Sequence, residues 1–262
     1  MELRLDRNPE IRARDVGKNV LFVADPMIIQ YGETTYIFAE VKESRRPGYI
    51  GVFRLENNSW VYDGPVLRER FHLSYPSVFR IGNEWYMIPE SSRANAIRLY
   101  MARDFPRNWV YIGDLIEGRY VDPTFIERDG VFYIFAGHLD KNVGRFGISS
   151  DLHLFYSRNI RGPWLEHPMS PIVSRDPNRS RPGGILEMNG DIYRVAQDST
   201  PFYGMGGLRF FRINELTPET YSEEEVMGPV FGFSLRNARW VLLGVHTFGE
   251  NGNFCVYDGL GW

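Results

Sequence analysis

The stretch from Asp122 to Gly137 reads DPTFIERDGVFYIFAG and carries the pattern that decides the fold. It contains an Asp-Pro pair, a short apolar run, the polar turn Asp129-Gly130 and a second, aromatic run. Two apolar runs joined by Asp-Gly are typical of an antiparallel hairpin. Proline is tolerated at its start because the first residue of a strand need not donate to the ladder. The stretch therefore predicts a β-hairpin that begins at Asp122.

The same pattern occurs five times along the chain. The prolines stand at positions 26, 76, 123, 182 and 229, at spacings of 50, 47, 59 and 47 residues, and an aromatic residue follows each by 10 or 11 residues. A period of roughly 40 to 50 residues is typical of a β-propeller with about four strands in each blade. We therefore predict an all-β, five-bladed β-propeller in one domain over residues 1–262, with blades that start near residues 25, 75, 122, 181 and 228. The alternative is a β-sandwich whose hairpins resemble one another by coincidence.

The composition excludes several classes of protein. Aromatic residues make up 15% of the chain, beside 26 Gly and 16 Pro, which favours short strands and turns. The 30 Lys and Arg residues oppose 33 Asp and Glu, which argues against a dedicated nucleic-acid-binding protein. The single cysteine, Cys255, excludes an intramolecular disulfide and a cysteine-based zinc cluster. Because no apolar run has the length of a membrane span and the start lacks a signal peptide, we expect a cytoplasmic protein, unless a leader has been removed.

The repeat predicts where polar side chains gather. In a propeller, the innermost strands run along a central channel, so equivalent residues of the blades form rings around it. The residues that precede the prolines form one ring: Asp25, Tyr75, Asp122, Arg181 and Gly228. The residues at or just beyond the ends of the second strands form another, which includes Glu40, Glu90, Gln197, Asp198 and His246. Carboxylates, arginine and aromatic rings at one mouth can bind sugar hydroxyls, and a pair of carboxyl groups can act on a glycosidic bond.

Each of these candidates also has a purely structural interpretation. An aspartate before proline can cap backbone amides in a turn. Glu90 can pair with Arg93 or Arg98, Glu40 can form a surface ion pair with the basic residues that follow it, and His246 can be a structural histidine. The remaining histidines lack the spacing of metal ligands, so we expect neither a metal site nor a cofactor.

Short motifs in a fixed order give the chain a family resemblance. They are His72-Leu73-Ser74-Tyr75-Pro76, Met87-Ile88-Pro89-Glu90-Ser91-Ser92, Val121-Asp122-Pro123, Gly162-Pro163-Trp164, Arg181-Pro182-Gly183-Gly184, Gln197-Asp198 and His246-Thr247. Over nearly the whole chain they resemble the propeller domain that is found at the N-terminus of plant glucosamine inositolphosphorylceramide transferases and in bacterial surface-polysaccharide proteins. The pairs Asp25-Pro26 and Asp122-Pro123 also resemble the five-bladed propellers of glycoside hydrolase family 43.

The family 43 resemblance implies roles for individual residues. It implies that Asp25 is the base or nucleophile and that Asp122 orients groups and modulates their pKa. The glutamate that acts as the acid in that family has no equivalent here, because the corresponding place reads Arg181-Pro182-Gly183-Gly184. We take Glu90 as the candidate acid, with Asp198 as the second choice.

Two functions remain open at this point. The first is a carbohydrate-active enzyme that cleaves or transfers a glycosidic bond, in a furanoside or a surface glycan. The second is a non-catalytic glycan-binding module that works with a separate glycosyltransferase. In the first, the expected binders of the sugar are Glu40, Tyr75, Arg181, Gln197, Asp198 and His246. A protein-interaction propeller is a third, weaker possibility, which a flat apolar face would support.

Overall fold

The computed structural model describes residues 9–139, 151–200, 206–231, 244–251 and 254–259. The regular elements in these ranges are strands, apart from one turn of α-helix, α1 (Ala13–Val16), and one 3-10 turn, Ser92–Ala94. This confirms the predicted all-β class. Neither helical turn has the length or apolar character that a membrane crossing needs.

Sixteen of the described strands form four antiparallel sheets of four strands each, and strand order follows chain order within each sheet. Blade 1 consists of β1 (Val20–Tyr31), β2 (Thr34–Glu43), β3 (Tyr49–Glu56) and β4 (Ser59–Leu67). Blade 2 consists of β5 (Ser74–Ile81), β6 (Glu84–Glu90), β7 (Ala96–Asp104) and β8 (Arg107–Glu117). Blade 3 consists of β9 (Tyr120–Arg128), β10 (Val131–His138), β11 (Asp151–Ser157) and β12 (Leu165–Glu166). Blade 4 consists of β13 (Arg181–Met188), β14 (Asp191–Gln197), β15 (Gly207–Leu216) and β16 (Tyr221–Phe231).

A small fifth sheet closes the ring. It contains β17 (Phe248–Glu250) paired with β18 (Cys255–Tyr257). The inner strands β1, β5, β9 and β13 contact one another in that order, and β17 contacts both β13 and β1. The described strands therefore form a propeller-like ring in which the short sheet lies between blade 4 and blade 1.

The prediction of five full blades is not confirmed, because the described residues contain four. Gly228-Pro229, the predicted start of a fifth blade, lies within β16, the outermost strand of blade 4, where Val230 pairs with Leu208. An edge strand tolerates proline as readily as a strand start does, so the sequence pattern fitted the wrong element. Of the predicted second strand from Trp240 to Gly244, residues 240–243 lie outside the described residues.

Each inner strand is irregular at the proline motif. Strands β1, β5, β9 and β13 all shift register against their hairpin partners there, which is typical of a β-bulge. Asp25, Tyr75 and Asp122 adopt positive φ angles of 53°, 44° and 50°. Residues before proline normally adopt extended backbone, so three equivalent positions share an uncommon conformation. The bulges redirect the side chains of these positions relative to the rest of the strand.

The apolar core is divided among the interfaces between neighbouring sheets. Phe38 and Met87 are fully buried between blades 1 and 2, and Phe135 packs with Tyr221 between blades 3 and 4. Val256 of the short sheet packs against the buried apolar residues of blade 1. Because no blade covers both of its own faces, each one depends on its neighbours, and the ring positions the polar residues at its centre.

Candidate functional site

The structure gathers the predicted carboxyl groups of blades 1 to 3 at one mouth of the ring. Asp25, Glu40, Glu90 and Asp122 are all buried. Glu40 is the cross-strand neighbour of Ala24, and Glu90 is the cross-strand neighbour of Ser74, so each glutamate lies beside a proline motif. Four buried acidic groups in one place influence one another's charge state, and their partners decide what each can do.

Asp25 connects blade 1 to blade 2 and to the end of the chain. Its Oδ2 accepts a hydrogen bond of 3.1 Å from the backbone N–H of Tyr75. Its own N–H donates to Oδ2 of Asp258 at 2.8 Å. The remaining oxygen, Oδ1, lies 3.2 Å from Nε2 of His246. The carboxylate of Asp25 is therefore held in place by its surroundings and faces an imidazole.

His246 bridges two buried aspartates, one of which the repeat does not predict. Its Nδ1 lies 3.0 Å from Oδ1 of Asp258, and that oxygen also accepts the N–H of Thr247 at 3.0 Å. Burial alone would raise the pKa of Asp258, but the charge of His246 and the hydrogen bonds hold it below its ordinary value. Sequence analysis missed Asp258 because it follows the last strand, outside the repeat, and its Asp-Gly pair is typical of a turn.

Asp122 is paired with blade 4. Nε of Arg181 donates to its Oδ2 at 2.5 Å, and Nε2 of Gln197 donates to the same oxygen at 2.8 Å. Gln197 also donates to the carbonyl of Pro182 at 2.6 Å. Burial raises the pKa of Asp122, and Arg181 opposes that increase. Asp122 thus contacts Arg181, predicted for the same ring, and Gln197, predicted for the second ring, across 59 and 75 positions of sequence.

Glu90 has an oxygen without a partner. Its Oε1 accepts the N–H of Ser92 at 3.2 Å, whereas its buried Oε2 has no hydrogen-bond partner. Burial raises the pKa of Glu90 to about 7, against the hydrogen bonding from Ser92. Among the described residues Arg98 pairs with Glu69 and Asp114, which removes one of the predicted structural partners of Glu90. A carboxyl group that holds its proton near neutral pH is suited to general acid catalysis.

Glu40 is a second carboxyl group that favours its protonated form. Burial, with the charge of Asp25 adding to it, raises the pKa of Glu40 well above its ordinary value. Its Oε1 lacks a hydrogen bond and lies 3.4 Å from Nε2 of His72. The other ring nitrogen of His72 accepts the N–H of Gly48 at 3.1 Å, so neutral His72 presents its Nε2–H to Glu40. The predicted partner Lys42 donates instead to the backbone carbonyls of residues 43 and 46.

Two other predicted site residues have structural partners. Asp198, the second-choice acid, receives Nε of Arg209 at 2.9 Å on one oxygen and the N–H of Thr200 at 3.0 Å on the other. Tyr75 is buried, and its hydroxyl shares a hydrogen bond of 2.8 Å with Thr124. The ring of Tyr75 therefore belongs to the wall between blades 2 and 3, and its contribution at Asp25 is a backbone N–H.

One set of described residues has the spacing of a metal site. Asp25, His246 and Asp258 each offer one ligand atom, and these atoms lie within 4.8 Å of one another. Both imidazole nitrogens, however, face carboxylate oxygens at 3.2 and 3.0 Å. The two carboxylates thus face different nitrogens of one imidazole ring, and a single metal ion can take only one of those nitrogens as a ligand. The geometry fits an Asp–His–Asp hydrogen-bonded bridge.

Comparison by sequence identifies relatives of this chain. The profile of the family described as glucosamine inositolphosphorylceramide transferase 1, N-terminal, matches residues 10–247. Glucosamine inositolphosphorylceramide transferase 1 of Oryza sativa subsp. japonica is 37% identical over 212 residues, which are 78% of this chain and 28% of the rice protein. The Arabidopsis thaliana protein of the same name is 32% identical over 211 residues, with 78% and 27% covered. The chain therefore spans just over a quarter of the length of these relatives.

Comparison by structure finds glycoside hydrolases. An alpha-L-arabinofuranosidase from Podospora anserina, in complex with cellotriose, superposes with a TM-score of 0.70 at 12% identity, over 97% of this chain and 89% of its own. A family 117 glycoside hydrolase from Zobellia galactanivorans gives 0.62 at 11% identity, over 84% and 73%. A family 43 protein from Bacillus licheniformis gives 0.59 at 19% identity, over 87% and 46%. At these identities the likeness shows a shared fold.

Proposed function

The chain belongs to the family of glucosamine inositolphosphorylceramide transferase 1 N-terminal domains, and we propose that its central ring acts on a glycosidic bond. The observation that carries the proposal is the state of Glu90. It is a buried carboxyl group with a free Oε2 and a pKa of about 7, on the strand paired with β5, whose Tyr75 N–H holds Asp25. A proton donor and a carboxylate in one site are the two groups that glycoside hydrolysis needs.

Glu90 and Asp25 have different roles in this proposal. Glu90 gives its proton to the oxygen of the departing sugar as the glycosidic bond breaks. Asp25 either takes a proton from the water that attacks the anomeric carbon or attacks that carbon itself. The first route leaves about 6.5–9.5 Å between the carboxyl groups and inverts the configuration, whereas the second needs about 5–5.5 Å and retains it. Asp122 and Arg181 form a fixed ion pair that binds sugar hydroxyls, and protonated Glu40 donates a further hydrogen bond.

A second candidate function is recognition of a glycan without chemistry. The observation that favours it is the pairing of Asp122, whose Oδ2 already accepts from Arg181 and Gln197. In this proposal every ionised carboxylate of the ring is committed to a partner and the ring only binds. A glycosyltransferase on another domain or another protein would then supply the chemistry, in line with the names of the plant relatives.

A single set of variants separates the two functions. We would measure both binding and product release for the wild type, Asp25→Asn and Glu90→Gln on aryl furanosides, aryl pyranosides and oligosaccharides. The matched control is Asp129→Asn, the same change on a hairpin turn where the side chain is 92% exposed. Catalysis predicts that Asp25→Asn loses turnover by about 10²-fold or more and keeps binding. Glu90→Gln should lose turnover on poor leaving groups and keep most of it on activated aryl groups, which need no proton.

The outcomes are distinct. Binding without product release in the wild type would reject catalysis and establish the recognition module. Turnover that survives in Asp25→Asn would reject the assignment of Asp25. Equal loss in the Asp129→Asn control would show that the effect is not specific to the ring.

A further inference from the structure

A second polar pocket lies on blade 1, away from the central ring. It has a volume of about 460 Å³ and lies between the α1–β1 connection, the β2–β3 connection and the end of β4. Its charged and aromatic lining residues are Lys18, Glu43, Arg46, Tyr49, Tyr62 and Arg68. Glu43 is the last residue of β2, three positions beyond Glu40, so the pocket lies at the same end of blade 1 as the central mouth.

The floor of this pocket is a preformed network around one carboxylate. Nη2 of Arg68 donates to Oε1 of Glu43 at 3.1 Å, and the hydrogen bond from Arg68 lowers the pKa of Glu43. The guanidinium of Arg68 lies 3.4 Å above the ring of Tyr49. The hydroxyl of Tyr49 shares a hydrogen bond of 3.1 Å with that of Tyr62. Arg68 is therefore held over an aromatic ring before any ligand arrives.

The pocket carries more positive charge than this network uses. Lys18, Arg46 and Arg68 face one carboxylate, Glu43, although the chain as a whole has a formal charge of −3. Arg46 lies 3.8 Å from Glu43, beyond hydrogen-bonding distance. Lys18 is exposed and forms no ion pair with any described carboxylate. Two cations are thus available to a ligand in a concave site.

From this geometry we infer that the pocket binds an oxyanion carried by a sugar, a phosphate or a carboxylate. The planar fork of arginine matches the oxygens of both groups, and lysine adds a point charge. The stacked Arg68 and Tyr49 provide a flat surface for the sugar that carries the anion. The oxyanion site stands independently of the central ring, and only the preference for a sugar rests on the proposed function.

Titration with defined anions tests this inference. The probes are inorganic phosphate, glucuronate, glucose 6-phosphate and, as the neutral reference, glucose, each added to the ¹⁵N-labelled chain and followed by amide chemical shifts. The anions should produce saturable shifts at residues 17–19 and 44–46, and glucose should not. The charged sugars should bind more tightly than inorganic phosphate. The double variant Lys18→Gln/Arg46→Gln should lower the affinity for the anions at least tenfold. The network around Arg68 should stay intact, because neither side chain is needed to hold Arg68.

The control removes the same charge elsewhere. Arg128→Gln/Arg161→Gln changes two cations of blade 3, one at the end of β9 and one in the β11–β12 connection, and should bind the anions as the wild type does. Absence of saturable shifts with all three anions up to 20 mM, or equal weakening in the two double variants, would overturn the site. Equal affinity for inorganic phosphate and glucose 6-phosphate would overturn the sugar assignment. Asp25→Asn should leave these titrations unchanged, which separates failure of this pocket from failure of the central ring.

Discussion

Arg194 is the largest fully buried side chain among the described residues, and its removal should destabilise blade 4. Its Nε and Nη2 each donate to Glu223 at 2.7 Å, and Nη1 donates to the carbonyl of Arg179 at 2.9 Å. The guanidinium also lies 4.6 Å from the centre of the Phe211 ring. The pair spans β14 and β16, and β14 ends at Gln197, so this interaction supports a strand that orients Asp122.

We expect Arg194→Met to lower the free energy of unfolding by about 3 kcal/mol. Removing one partner of a buried ion pair costs about 3–5 kcal/mol because the other charge is left without compensation. The lower end applies here, since methionine fills much of the volume and Nη2 of Arg179 stays 3.3 Å from Glu223. For a chain of this size, that loss corresponds to a fall in Tm of roughly 6–12 °C.

Urea unfolding followed by tryptophan fluorescence measures the change. The matched control is Arg212→Met, which removes the same residue type from an exposed pair with Glu224 in the same blade and should leave unfolding unchanged. Adding Glu223→Gln to Arg194→Met removes the stranded charge and should restore part of the loss. The reasoning is refuted if Arg194→Met costs less than about 1 kcal/mol, or if the second substitution restores nothing.

The pH dependence of Arg194→Met has a definite sign. Burial would raise the pKa of Glu223, but Arg194 and the hydrogen bonds hold it below its ordinary value of 4.5. A carboxyl group with a lowered folded pKa stabilises the protein above its unfolded pKa and loses that contribution as the pH falls. The deficit of Arg194→Met should therefore be largest near neutral pH and shrink below about pH 5, where protonation removes the unpaired charge.

Three further predictions concern the central ring. The folded pKa of Glu90 is raised from 4.5 to about 7, so the wild type loses stability as the pH rises through this interval. Glu90→Gln should remove that loss, and its free energy of unfolding at pH 8 should exceed that of the wild type by on the order of 3 kcal/mol. Urea titrations at pH 5 and pH 8 measure this difference. Gly48→Ala places a Cβ 2.6 Å from Oε1 of Glu40 and 2.7 Å from the His72 ring, so it should lower Tm, whereas Gly113→Ala, which meets nothing within 4 Å, should not. Asp258→Asn should lower the free energy of unfolding at pH 7, because the carboxylate that His246 stabilises is lost. The difference between variant and wild type should shrink below the ordinary carboxyl pKa of 3.8, where the wild-type group is protonated as well.

The part of the fold that sequence predicts is the part that the repeat encodes. The fixed distance from proline to aromatic residue identifies the inner hairpins β1–β2, β5–β6, β9–β10 and β13–β14, because turn residues and alternating apolar runs are local signals. The same distance misassigns Gly228-Pro229, since a proline in an edge strand gives the same local pattern as one at a strand start. The short closing sheet has no such signal.

The candidate site divides in a similar way. The ring of pre-proline residues is predictable because equivalent blade positions meet at the axis. The partner of each charge is not, since it depends on which side chain reaches across from another blade. Arg181 donates to Asp122 across 59 positions, and the backbone N–H of Asp25 donates to the carboxylate of Asp258 across 233 positions. Asp198 pairs with Arg209 of the neighbouring strand, so local packing decides the partner of this carboxylate.

The backbone at the ring gives an argument for function that does not depend on the comparisons. A non-glycine residue at positive φ costs about 1–3 kcal/mol, and Asp25, Tyr75 and Asp122 all adopt this conformation. The propeller itself does not require it, because blade 4 places its positive φ at Gly184 and leaves Arg181 unstrained. Two of the strained residues present buried carboxylates, and the third supplies the N–H that holds Asp25. Strain at these equivalent positions therefore supports the proposal that the ring uses these carboxyl groups to bind or act on a ligand.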